Sequence, residues 1–370
     1  LSVNQSLSCC LVVRNESSKI VNCLDNIKIL ADEIIVIDTG STDNTPSIIK
    51  QWAIKNKIER NVNVIEVGKK FHDEDDDFNF GAAKTFAFDN ASKDFVMWLD
   101  ANDTVTNQAQ VKKIFLVETS KNPNMYFALP TALTADYAFA RVRIAPRGKV
   151  WMEGSVHEYM RFSDNSLVRF FIPIAIQNKK PGRDLNRNLR LLLKEWNRSP
   201  TARMAFYIAQ SYSEMGNDVE AFKWYKKRIF TFEFLHEFGE EHFKSMECFA
   251  EYLASGKKYE NTSDTDLYDI ATEMIRMEPT RIEGYYYLGK YHMTKKEYDK
   301  AINEFRKYTI CKKPAMYNLW LDKRLYGGRA IRNAIDECSM GLKYKDVLKP
   351  EQILDYGPTS GGYKVGSAQY

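Results

Sequence analysis

The stretch Phe95-Val96-Met97-Trp98-Leu99-Asp100-Ala101-Asn102-Asp103 opens with five apolar residues and stops on acidic and amide oxygens. A short unbroken apolar run reads as a strand buried on both faces. Oxygen-bearing side chains at the end of such a strand need something to bind. A hard divalent cation carrying a diphosphate is one candidate, because Mg²⁺ and Mn²⁺ prefer oxygen ligands. An ordinary surface turn is the other, since Asp and Asn are common turn residues.

Upstream, the same pattern repeats. Leu7 to Val13, Glu33 to Ile37 and Val62 to Val67 are β-rich runs. Between the first two, Ile20, Cys23, Leu24, Ile27 and Leu30 recur at helical spacing, and Ile48, Ile49, Trp52 and Ala53 do so before the third. Gly81 to Ala91 reads as a helix leading into the Phe95 strand. Strand–helix alternation predicts an α/β fold with a mostly parallel sheet covered on both faces. Such sheets bind ligands at the carboxyl ends of their strands. Three polar clusters stand at those ends: Arg14-Asn15-Glu16, Asp38-Thr39-Gly40-Ser41-Thr42-Asp43, and Asp100 to Asp103. Ser41 and Asp43 also suit helix caps, but three clusters at three strand ends favour a shared ligand.

Size and composition narrow the class. A chain of 370 residues predicts two domains. Its 44% hydrophobic and 28% charged residues are those of a globular protein. No apolar run approaches the roughly 18 residues of a membrane span. Nor does a basic stretch with an apolar h-region suggest a signal peptide. A net charge of +4, with 53 basic against 49 acidic residues, argues against a dedicated nucleic-acid binder. The six cysteines, at 9, 10, 23, 248, 311 and 338, form no CxxC pair. They read as free core thiols in a reducing, cytoplasmic setting. The acidic run Asp73 to Asp77 reads as a solvated loop.

From about Leu185 the strand pattern ends and the chain reads as helical. Ala205, Ile208, Ala209, Tyr212, Ala221 and Tyr225 share their spacing with Tyr285, Leu288, Gly289, His292, Ala301 and Phe305. The offset of about 80 residues is roughly two units of 34 with an insertion, the pattern of tetratricopeptide helix pairs. Glu241 to Pro279 supplies a degenerate middle unit, and an apolar helix around Met316 to Ile335 a cap. The aromatics Trp224, Tyr225 and Tyr285 to Tyr287 read as repeat core rather than a stacking surface. From about Asp355 there is no periodicity, as in an extended tail. The expected divisions are 1–182, 183–345 and a tail over 346–370.

Taken in order, these pieces resemble family 2 glycosyltransferases of GT-A fold, in the branch with a C-terminal tetratricopeptide region. The matching elements are Val13-Arg14-Asn15-Glu16, Asp32-Glu33, Asp38 to Thr45, Asn79-Phe80-Gly81-Ala82-Ala83-Lys84, Trp98 to Asp103 and Glu153-Gly154-Ser155-Val156-His157-Glu158. Arg187-Asn188-Leu189 and Phe206 to Tyr212 resemble the family's helical junction. The resemblance implies a nucleotide-sugar donor, usually a UDP-sugar, with Mn²⁺ or Mg²⁺ on its diphosphate.

Carried over by position, Arg14, Asn15 and Glu16 would line the nucleoside pocket. Asp38 would meet the uracil edge, with Gly40 and Ser41 allowing close approach. Asp100 and Ala101 would contact ribose and diphosphate, with Lys84 adding positive charge. Asp100, Asn102, Asp103 and His157 would be the metal ligands, and Glu158 or Glu153 the general base of an inverting transfer to an acceptor hydroxyl. The chain departs from the family at three positions: Asn102 replaces a second carboxylate, Lys84 an Arg, and Thr85 an Asn.

The acceptor stays open among a protein side chain, a glycan and a modified nucleobase. The helical repeats would hold the acceptor, a partner or a second copy. A tetratricopeptide adaptor with a degenerate GT-A domain is the alternative from another class. A nucleotidyltransferase ranks last, because no Gly-rich basic loop follows Val13 to cradle a triphosphate.

Overall fold

The computed structural model describes residues 5–75, 77–134, 137–178, 184–231, 239–257, 259, 262–263, 265–312 and 323–342. The chain divides into two compact units, Leu1–Asp184 and Leu185–Gln369.

The first unit is built on a nine-stranded sheet whose main path runs β3-β2-β1-β4-β7-β6-β11-β5. Its parallel half is made of β1 (Leu7–Val13), β2 (Glu33–Asp38), β3 (Val62–Glu66) and β4 (Phe95–Leu99). All five residues of β4 are buried, as its unbroken apolar run requires. Alternation sends Leu7, Cys9, Leu11 and Val13 of β1 to one face and Cys10 to the other. The first face packs under α1 (Ile20–Ile27), α2 (Thr45–Lys55) and α4 (Gln108–Lys121), through Leu24, Ile49, Trp52, Val111 and Phe115. The second face takes Ala87 and Phe88 of α3 (Phe80–Asp89), with Val150, Met152 and Met160 of the hairpin β8 (Val150–Glu153) and β9 (Tyr159–Phe162).

The sheet is mixed: five of its eight pairings are parallel, in keeping with a mostly parallel sheet, and three are antiparallel. β7 (Tyr137–Pro146) lies antiparallel to β4 and to β6 (Met125–Thr134), and β11 (Ile176–Asn178) antiparallel to β5 (Asp103–Val105). The reason is chain length. Only two residues separate β6 from β7, and a parallel pairing needs a crossover of a dozen or more. β10 (Val168–Phe171) returns parallel to β6.

Helix α3 is bound to the end of β8 by backbone contact. Phe80 N–H donates to Ser155 O and Gly81 N–H to Gly154 O, both at 3.1 Å. Thr85 Oγ1 lies 3.3 Å from Met152 O and accepts from Met152 N–H at 2.9 Å. The close approach explains Gly81: a Cβ there would run into Gly154 O and stand 3.1 Å from Met152 O.

The second unit is helical throughout its described residues. Its order is α5 (Leu185–Arg198), α6 (Ala202–Glu214), α7 (Asp218–Thr231), α8 (Gly239–Ala254), α9 (Asp266–Met277), α10 (Ile282–Thr294), α11 (Tyr298–Arg306), α12 (Lys323–Tyr326) and α13 (Arg329–Leu342). Sequential helices pack on one another from α5 to α11, and α13 packs on α11. Gly289 permits the close fit of α10 against the Phe305 ring of α11. Ala209 holds the corresponding position in α6, and Tyr225 the aromatic position in α7. Of the expected capping helix, residues 316–322 lie outside the described residues, as does the tail from Asp355; α12 and α13 follow from Lys323. All six cysteines are unpaired, five of them buried. Among the described residues no helix is long and apolar enough to cross a membrane.

Gly81→Ala should therefore lower stability by about 1–3 kcal/mol, because the obstacle is backbone and cannot swing away. Thermal denaturation measures it, and an unchanged Tm would show that α3 and β8 are not in tight contact.

Candidate functional site

The parallel order brings the ends of β2, β1 and β4 side by side, with Val13 opposite Asp38 and Leu11 opposite Leu99. The loops after β1 and β2 are laced together. Asn15 adopts φ 55°, and its N–H donates to Ser41 Oγ at 2.9 Å while its Oδ1 accepts from Thr42 N–H at 2.8 Å. Glu16 N–H donates to Thr45 Oγ1 at 2.9 Å. Asp43 accepts from the Thr45 hydroxyl and N–H and from Ser17 N–H; the Thr45 hydroxyl bond leads in drawing its pKa down to about 2. Asp38 is buried, and its Oδ1 accepts from Gly40 N–H at 3.1 Å and Ser41 N–H at 3.0 Å. The φ of +89° at Gly40 makes this turn possible. Asp38 Oδ2 is buried with no hydrogen-bond partner, an acceptor left open at the strand end. Exposed Arg14 reaches His72, with Nη1 3.4 Å from Nε2.

At the end of β4 the four polar positions diverge. Asp100 is partly exposed and its Oδ1 lies 3.3 Å from Lys84 Nζ. Ala101 is buried beneath the turn and Asn102 is half-buried on it. Asp103, expected among the metal ligands, points into the core. Its Oδ2 accepts from Arg143 Nη1 at 2.9 Å and from Asp100 N–H at 3.0 Å, and its Oδ1 accepts from Asn178 Nδ2. With both oxygens committed and 1% of its surface exposed, Asp103 is structural. Of the expected ligands, Asp100, Asn102 and His157 remain, offering a carboxylate, an amide oxygen and an imidazole.

Lys84 joins this turn to the third element of the site. Its ammonium is buried, 2.5 Å from Glu158 Oε1 and 4.0 Å from the Trp98 ring centre. One lysine thus links Asp100 to the immediate neighbour of His157. His157 is half-buried with φ 53°, and the turn before it relies on Gly154 at φ +98°. Burial pushes the Glu158 carboxyl up, but Lys84 outweighs burial and holds it below its ordinary 4.5. Burial likewise opposes the charge on Lys84, and Asp100 with Glu158 holds it above 10.5. A carboxylate so held is a weaker proton acceptor. Glu153 is more exposed, with Oε1 accepting from Tyr159 Oη–H at 2.7 Å and Oε2 3.2 Å from Arg161 Nε.

The acidic run is not wholly solvated. Asp75 is exposed, but Asp77 is buried, and Asp73 Oδ1 accepts from the N–H groups of Asp75 and Asp77. One ligand oxygen from each of Asp73, Asp75 and Asp77 lies within 4.8 Å of the others, so these three could hold a divalent cation. Arg143 did not stand out from the sequence as part of the site. Alternation in Arg141-Val142-Arg143-Ile144 would send both arginines to the polar face, so no sequence pattern marks Arg143 as buried.

Residues 8–131 match the family model described as Glycosyl transferase family 2. A 103-residue segment is 33% identical to a TPR repeat-containing protein of Synechococcus elongatus, covering 28% of this chain and 22% of that protein. A 244-residue alignment is 24% identical to the prophage-derived glycosyltransferase SunS of Bacillus subtilis, covering 60% of this chain and 53% of that one. This chain therefore spans about half or less of these relatives. S. aureus TarS 1–349 matches as a structure with 12% identity and a TM-score of 0.37, over 79% of this chain and 92% of that one. The N-terminal unit carries a family 2-like glycosyltransferase domain, and a helical region resembling tetratricopeptide repeats follows it.

The Lys84–Glu158 pair fixes a pH dependence. The Glu158 contribution is present above pH 4.5 and is lost as pH falls through the lowered value; that of Lys84 is present below pH 10.5 and is lost as pH rises through the raised one. Glu158→Gln should cost about 1–3 kcal/mol at pH 7. The gap to the parent should close in acid. A Tm difference that stays constant down to the acid limit would remove the ion pair as its source.

Proposed function

We propose that this chain transfers a glycosyl group from a nucleotide-sugar, most simply a UDP-sugar, to an acceptor hydroxyl with inversion. The observation that carries the reading is the buried, unpartnered Oδ2 of Asp38, two strands from Asp100 on the same sheet edge, where Lys84 bridges Asp100 to Glu158 of the β8–β9 turn. Asp38 Oδ2 would accept the N3–H of a uracil, while Arg14, Asn15, Glu16, Gly40 and Ser41 frame the nucleoside. Asp100 and Ala101 would meet the ribose and diphosphate. Asp100, Asn102 and His157 are the side chains that would hold Mn²⁺ or Mg²⁺, which when bound supplies positive charge for the leaving diphosphate.

The transfer forms a bond from the acceptor oxygen to the sugar's anomeric carbon and breaks the bond from that carbon to the phosphate oxygen. The acceptor proton passes to a carboxylate, and the nucleoside diphosphate leaves with the electron pair. Glu153 is our choice for that carboxylate, because the ion pair with Lys84 makes Glu158 the weaker proton acceptor. Glu158 then serves to place Lys84. Protein, glycan and modified nucleobase remain the acceptor classes, with the helical unit as their docking surface. The likeness to a protein named as a glycosyltransferase supports the class of reaction.

A panel of UDP- and GDP-sugars with Mn²⁺ should show donor hydrolysis or binding for UDP forms, and Asp38→Asn should weaken UDP about 10-fold or more by inverting the hydrogen-bond pattern. Silence from the whole panel in both the parent and Asn102→Asp would refute the reading. Glu153→Gln should lower kcat about 10²- to 10⁴-fold with UDP binding intact. Full activity in that variant would return the base to Glu158.

A further inference from the structure

Arg143 is among the largest fully buried side chains of the molecule, and its guanidinium is spent on the turn that presents Asp100. Nη1 lies 2.9 Å from Asp103 Oδ2 and 3.4 Å from Trp98 O, and Nη2 lies 3.1 Å from Thr131 Oγ1. The guanidinium carbon stands 3.8 Å from the Trp98 ring centre, and the indole N–H donates to Val142 O at 2.8 Å. The oxygen that Arg143 grips is the one that accepts the Asp100 N–H. The ring it covers is the one over which Lys84 Nζ lies.

A buried ion pair is poor value as a source of stability, since apolar side chains of like volume often do as well. What such a pair gives is a fixed geometry, because guanidinium and carboxylate meet only in certain orientations. Here the geometry is transmitted in two directions. Asp103 clamps the backbone of Asp100, which sets where that carboxylate emerges. Trp98 fixes the floor beneath Lys84, which sets where the ammonium can stand between Asp100 and Glu158.

We propose that Arg143 is a positioning residue for the donor site: through Asp103 and Trp98 it holds Asp100 and Lys84 in the arrangement that receives a nucleoside diphosphate. The inference rests on the donor reading above and adds to it a residue outside the polar strand ends.

The experiment compares UDP binding by calorimetry, with excess Mn²⁺, in the full chain carrying Arg143→Met with Asp103→Leu, and in Arg143→Lys. Removing both charges together leaves no unpaired ion, and with only the Asp100 N–H and Asn178 amide losing their acceptor the double variant should still fold, with a lowered Tm. It should nevertheless bind UDP about 10-fold or more weakly, because misplaced contacts are costly even where the fold survives. Arg143→Lys keeps the charge but loses the fork, and should lie between the two. A stable double variant that binds UDP like the parent overturns the proposal and leaves the donor reading standing. Should the double variant fail to fold, a folded Arg143→Lys with parental affinity overturns it equally. Absence of UDP binding by the parent would overturn both.

Discussion

The arrangement of the N-terminal unit depends on one buried ammonium. Lys84 comes from α3, Asp100 from the end of β4 and Glu158 from the turn between β8 and β9, so three elements far apart in sequence meet on a single charge. Without it, two carboxylates would face each other in a poorly solvated space, and one would take up a proton to relieve the repulsion. With it, the charge of each is offset and the hairpin is tied to the sheet edge. The backbone hydrogen bonds from Phe80 and Gly81 to Ser155 and Gly154 repeat the same union in neutral form. Charge and backbone together decide where residues 153–158 stand.

The parallel half of the sheet was legible because its signals are local. The runs at Leu7, Glu33 and Phe95 are apolar enough to be buried on both faces, the edge run at Val62 is only half-buried, and the intervening helices carry their own periodicity. The direction of β7 was not legible, since nothing in Tyr137–Pro146 names the strand it will pair with. The first unit also needed contacts that sequence spacing cannot reveal. Asp103 became structural because of Arg143, forty residues on, and Asn178, seventy-five residues on. Glu158 lost basicity to a lysine 74 residues earlier. Residue type and position marked these side chains as important but could not say which would face a ligand and which the core.

Charged networks also organise the helical unit. Arg281 lies 3.8 Å from the Phe243 ring centre and 2.8 Å from Glu283, whose other oxygen accepts the Tyr326 hydroxyl at 2.6 Å. Arg228, fully buried, has Nη1 2.8 Å from His242 Nδ1; burial, reinforced by Arg228, draws that imidazole down to about 4. His242 is therefore neutral near pH 7 and joins α8 to α7 through Arg228. Such pairs fix helix against helix where small residues such as Gly289 only allow approach.

The short strand β11 has a mechanical consequence. Its last residue, Asn178, donates to the carboxylate that anchors the Asp100 turn, and the helical unit begins at Leu185. Asn178 thus helps hold Asp103 in place from the last strand of the sheet. Trimming the chain before Asn178 would therefore take a donor from Asp103 and slacken the Asp100 turn as well as shorten the polypeptide.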